Sequence, residues 1–113
     1  MPKLLTVVIK EPDQPARIDR IDASLANLQA LVGGYIESVR LGDTQFIVNE
    51  EGRLRNLQPN FISQHVGTIR GTAIILPSRS TPGGNFVSFT PAQAEAAVVR
   101  FSNVPTGPLP VFM

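Results

Sequence analysis

Tyr35-Ile36-Glu37-Ser38-Val39-Arg40-Leu41-Gly42-Asp43-Thr44-Gln45-Phe46-Ile47-Val48-Asn49 is the stretch that decides the fold class. Residues 35–41 alternate between apolar and polar side chains, the period of a strand with one face buried. Gly42-Asp43-Thr44 is turn chemistry, and residues 45–49 are a β-branched and aromatic return strand. The stretch is therefore a hairpin, and a sheet built on it is antiparallel. Immediately before it, Gly33-Gly34 supplies the positive φ that ends a helix. That helix starts near Asp22 or Ser24, either of which can accept from free backbone N–H groups. Leu25, Leu28, Leu31 and Val32 recur at helical spacing and form its expected apolar face. Further back, Leu4-Leu5-Thr6-Val7-Val8-Ile9-Lys10 reads as a central strand. Pro12 and Pro15 mark a turn, and residues 17–22 alternate again, so the chain opens with another hairpin.

Downstream, the pattern is less regular. Glu50-Glu51-Gly52 is a tight turn, and Pro59-Asn60-Phe61-Ile62 reads as a single helical turn. Gly67 and Gly71 bracket Thr68-Ile69-Arg70, and Thr72-Ala73-Ile74-Ile75-Leu76 is the clearest buried strand of the second half. Residues 78–84, rich in Ser, Pro and Gly, form a loop, and Asn85-Phe86-Val87-Ser88-Phe89 is expected to be a last short strand. Thr90-Pro91-Ala92-Gln93 has the capping-box pattern with proline at the first helical position. Ala94, Ala97, Val98 and Phe101 then fall on one helical stripe. The expected fold class is α+β: a mostly antiparallel sheet of about six strands, two hairpins plus two further strands, with two helices packed on it. Residues 1–101 form the domain, and residues 102–113 are a Pro-rich extended tail with an apolar end.

Composition excludes several functions. The 113 residues contain no cysteine, which removes disulfides, thiolate metal sites and cysteine nucleophiles. A hydrophobic fraction of 42% against 17% charged residues marks a globular chain rather than a disordered one. No apolar run approaches the roughly 20 residues of a membrane helix, so no membrane partner is expected and the location is expected to be cytoplasmic. The formal charge of +1 gives no strong nucleic-acid signal.

Val32-Gly33-Gly34-Tyr35-Ile36-Glu37, then Asn49-Glu50-Glu51-Gly52-Arg53-Leu54, then Pro59-Asn60, Val66-Gly67-Thr68 and the step Phe86-Val87-Ser88-Phe89-Thr90 into a helix follow one another in an order that resembles a known family. It is the domain-of-unknown-function family 3846, carried by phages, prophages and other mobile elements. The resemblance covers about residues 5–101 and leaves out the proline-rich tail. It implies a small cytosolic accessory protein made by a phage or mobile element. Such proteins often counter host defences, and some trap small nucleotide signals.

Read from the residues themselves, Asn49-Glu50-Glu51-Gly52 is the most tempting site. Adjacent carboxylates on a strand point to opposite faces, however, so only a bent turn would make them converge. Arg53, Arg55, Arg70 and Arg79 are the phosphate-contact candidates, because a guanidinium can donate two parallel hydrogen bonds to an anion. In extended chain Arg53 and Arg55, flanking Leu54, would face one side. His65, the single histidine, has no second ligand for a transition metal. Ser63 lies two residues from it, but such proximity in sequence is weak evidence for a catalytic pair. Gly83-Gly84 lacks the lysine of a phosphate-binding loop but could close over a ligand. The leading expectation is a non-enzymatic protein, without cofactor or metal, that holds a small anionic, nucleotide-like ligand through Asn49, Glu50, Arg53, Arg55, Asn60 and Arg70. A homo-oligomer is expected with it. The alternatives are an inhibitor or adaptor acting on a host protein through strand edges and the tail, and, last, a nucleotide-processing enzyme using Glu50, Glu51 or His65.

Overall fold

The chain runs β1 (Leu4–Lys10), β2 (Arg17–Asp22), α1 (Leu25–Val32), β3 (Ile36–Leu41), β4 (Thr44–Asn49), β5 (Pro59–Ser63), β6 (Gly67–Arg70), β7 (Ala73–Pro77), α2 (Pro91–Phe101) and β8 (Val111–Phe112). The computed structural model describes residues 4–63 and 67–102, and for 111–112 the backbone alone. The main sheet has the order β2-β1-β7-β4-β3, antiparallel throughout. Both expected hairpins are present, β1 with β2 and β3 with β4. They do not pair with each other. β7 arrives later in the chain and is inserted between them, paired through Val8↔Ile75 on one side and Phe46↔Ile75 on the other.

Both faces of the sheet are covered, which is why β4 and β7 are buried at every position. On one face, Leu5, Val7, Ile9, Ile47, Ile74 and Leu76 pack beneath Leu28 and Val32 of α1. On the other, Val8, Phe46, Val48 and Ile75 pack beneath Ala94, Ala97 and Phe101 of α2 and beneath Phe61 and Ile69 of the second sheet. Phe46, Phe61 and Phe101 make this second core aromatic. Phe46 meets Phe61 at 5.3 Å between ring centroids and Phe101 at 5.5 Å, both edge to face.

Local signals explain both helices. Ser24 Oγ accepts from the Asn27 backbone N–H to open α1, and Gly33, at φ 80°, closes it. The expected four-residue apolar face of α1 is half that size: Leu28 and Val32 are buried, while Leu25 and Leu31 are exposed at 59% and 36%. Eight residues make only two turns, so one pair of positions reaches the sheet. In α2, Thr90 and Gln93 form the complete capping box, with Pro91 at the first helical position.

The α+β class holds, a mostly antiparallel sheet with two helices packed on it, while two local expectations fail. Residues 59–62 are not a helical turn but most of β5, which pairs antiparallel with β6 across a bulge between Pro59 and Phe61. The local turn chemistry of Pro-Asn yields to long-range pairing. Residues 85–89 form no strand. They make one isolated bridge, Ser80↔Phe86, while the Phe89 N–H donates to Thr6 O, too little for a ladder. The strands divide between the five-stranded sheet and a small one, β6-β5-β8. In it the backbone of Val111–Phe112 pairs parallel with Ile62 and Ser63, so this part of the tail docks on its own chain. Residues 103–110 of the tail lie outside the described residues.

Candidate functional site

Between β4 and β5 the chain coils. Gly52 N–H donates to Asn49 O, Arg55 N–H to Glu51 O, Asn56 N–H to Arg53 O and Leu57 N–H to Gly52 O. The coil starts at an Asx turn, because the Asn49 side-chain oxygen accepts from Glu51 N–H at 2.8 Å. It packs against the end of α1, where two orphan carbonyls need donors. Asn49 Nδ2 donates to Val32 O at 3.2 Å, and Arg55 Nη1 to Gly33 O at 2.7 Å. Gly34 lets this happen: a Cβ there would lie 2.8 Å from Asn49 Nδ2 and 3.1 Å from Arg55 Nη1.

This coil overturns the extended geometry read for Arg53 and Arg55. Two positions apart on a turn, they diverge. Arg55 reaches back to α1, while Arg53 lines a recess of about 280 Å³ bounded by β3, β4, β6 and the coil. Val48 and Ile69 are the apolar part of its lining, and Glu37, Glu50, Arg53, Thr68 and Arg70 the polar part. Asn49 and Gly52 complete it. Both polar ends of the buried Asn49 side chain are already engaged with Val32 O and Glu51 N–H. Arg70 is held by its own donation to Leu57 O at 3.1 Å. Two carboxylates and two guanidiniums thus share one concavity, with no net formal charge among them.

Of the six residues read from sequence, Glu50, Arg53 and Arg70 bring functional groups to one recess, and Asn49 borders it. Arg55 and Asn60 stand elsewhere. Asn60 is buried under the main sheet, where Nδ2 donates to Lys10 O and Gly71 O, and Oδ1 accepts from Lys10 Nζ at 3.0 Å. Lys10 itself is fully buried. Burial pulls its pKa below the ordinary lysine value, and the nearby Asp13 carboxylate offsets part of the shift. Arg79 lines a different hollow, along α2. Gly84 borders a third, beside Asp22 and Ser24, so the glycine loop is not a lid over this recess. His65 lies outside the described residues. Among the described residues no three His, Cys, Asp or Glu side chains group as metal ligands would, and no helix is long and apolar enough to cross a membrane.

Sequence reasoning missed Glu37 and Thr68. Glu37 shares a face with Val39, which the alternation of β3 shows. That this face meets β6 is a tertiary fact with no local signal. A family model described as Domain of unknown function (DUF3846) matches residues 5–102. Neither a curated protein nor a solved structure matches the chain.

Proposed function

The chain belongs to the DUF3846 family, and for this member we propose a non-enzymatic role: binding and sequestering a small nucleotide-like ligand in the recess beside β6. One observation carries the reading. Arg53 and Arg70, 17 positions apart, line the same concavity as Glu37 and Glu50. A guanidinium pair suits phosphate oxygens. The carboxylates only accept, so they suit the N–H donors on the edge of a base. A bare anion fits less well, since two carboxylates would repel it. A ligand that carries both phosphate and base N–H groups answers the whole lining.

The setting that goes with this reading is an accessory protein of a phage or mobile element, acting in the host cytosol against defence signalling. A homo-oligomer is part of the proposal, and light scattering on the purified protein measures it. The ligand is tested by calorimetry with a panel of linear and cyclic nucleotides, purine and pyrimidine, alongside inorganic phosphate. At least one nucleotide should bind, and bind better than phosphate. Arg53→Ala should weaken it about tenfold or more, the range of a lost charge-assisted hydrogen bond. Arg55→Ala, which loosens the coil but removes no group from the recess, should weaken it less. Absence of heat from every nucleotide at concentrations well above micromolar would refute the trap.

A further inference from the structure

The lining of the recess beside β6 is sorted by origin. Its arginines gather at the coil: Arg53 follows Gly52 in the chain, and a Cβ on Gly52 would lie 3.3 Å from the Arg70 Cβ. Its apolar wall and one carboxylate come from the strands. Glu37 of β3 stands opposite Val48 of β4, and directly opposed residues share a face of the sheet. Val48 and Ile69 make the wall. Among the described residues the side chains of Glu37, Glu50 and Arg53 enter no ion pair and no hydrogen bond. Arg70 gives one donor to Leu57 O and keeps the rest of its fork.

Volume and charge together choose among bases. A cavity of about 150 Å³ accommodates benzene, so a bicyclic base fills most of the 280 Å³ here and leaves sugar and phosphate toward solvent, where Arg53 is exposed. The carboxylate on the strand side only accepts, and two adjacent donors satisfy both its oxygens at once. Among the four RNA bases, guanine alone carries adjacent donors on one edge, N1–H and the 2-amino group. Adenine and cytosine offer an amino group beside a ring nitrogen that accepts. Uracil offers N3–H between two carbonyl oxygens, which repel a carboxylate.

We propose, on the premise that the recess holds a nucleotide, that its base is guanine: Glu37 accepts from N1–H and the 2-amino group, the purine lies against Val48 and Ile69, and Arg53 and Arg70 take the phosphate. Calorimetry on the full-length protein compares the 5′-monophosphates of guanosine, inosine, adenosine, cytidine and uridine. Guanosine monophosphate should bind tightest. Inosine monophosphate lacks only the 2-amino group and should bind about tenfold more weakly, the loss of one hydrogen bond to a charged acceptor. The other three should bind no better than inosine monophosphate. Glu37 is exposed on an edge strand, so Glu37→Ala should keep the fold, and in it guanosine and inosine monophosphates should bind alike. Equal binding of those two by the wild type overturns the proposal. So does a preference for another base, a guanosine preference that survives in Glu37→Ala, or no binding of guanosine monophosphate where another nucleotide binds. Each of these results sinks guanine and leaves the trap standing, whereas no heat from any nucleotide sinks the trap and guanine with it.

Discussion

Gly34 sits where two short segments, Gly33-Gly34-Tyr35 and Asn49-Glu50-Glu51-Gly52, meet. "GGY" ends α1 and "NEEG" begins the coil, and each is shaped by the other: Gly34 clears space for Asn49 and Arg55, and the Glu50 N–H donates to Tyr35 O. Together the two segments make a helix-end clamp. Gly34→Ala forces Arg55 and the buried Asn49 amide to move. Destabilisation of about 1–3 kcal/mol is expected, the usual cost of overpacking. Urea unfolding measures it, and an unchanged midpoint would show that the clamp has slack. The same residues explain why the site was only partly legible. Asn49 reads as polar and available in the sequence, yet the fold spends it on Val32 and Glu51. Asn60 reads likewise and is spent on Lys10 and Gly71. Their engagement depends on neighbours far away in the chain, which no local pattern encodes.

Elements with a strong internal period were readable, and those built by distant pairing were not. The two hairpins announce themselves through alternation and turn residues, and α2 through its cap. β5 begins with Pro-Asn, and only its partners across the small sheet make it a strand. An extended chain beyond Gly52 would put Arg53 and Arg55 on one side. Backbone bonds at 51–57 separate them. At α2 the local and tertiary signals agree, and that agreement is testable. Thr90→Ala removes the side-chain acceptor for Gln93 N–H and should cost about 1 kcal/mol of stability. Thr90→Ser should restore most of it. If the alanine and serine variants unfold at the same denaturant concentration, the cap contributes nothing and packing of Phe101 alone holds the helix.

For the molecule as a whole, Lys10 is a costly placement, a fully buried ammonium at the junction of the two sheets whose hydrogen-bond partners are the neutral oxygens of Glu11 O and Asn60 Oδ1. Its folded pKa lies below the ordinary lysine value of 10.5. Between the two values the unfolded chain binds the extra proton, so stability contributed by this group rises with pH through that interval and levels off above 10.5. Lys10→Met removes the titration and orphans Asn60 Oδ1 by an amount that does not vary with pH. Denaturant curves from neutral to alkaline pH should therefore show wild type gaining on Lys10→Met as pH approaches 10.5. A gap that stays constant would mean that the ammonium is as well solvated folded as unfolded.

The late insertion of β7 sets a timetable for synthesis. A nascent chain that ends before Ala73 owns both hairpins but nothing to join them, and the flanks of β1 and β4 that will face β7 stay open. Open strand flanks recruit other chains, so a ribosome paused after both hairpins have left the exit tunnel but before β7 has done so exposes its product to misassembly. Once β7 emerges, both flanks are sealed by one segment. Force-sensitive arrest peptides placed along the gene should register little pulling until β7 has cleared the exit tunnel. A strong signal from chains lacking β7 would mean that the hairpins find each other without it.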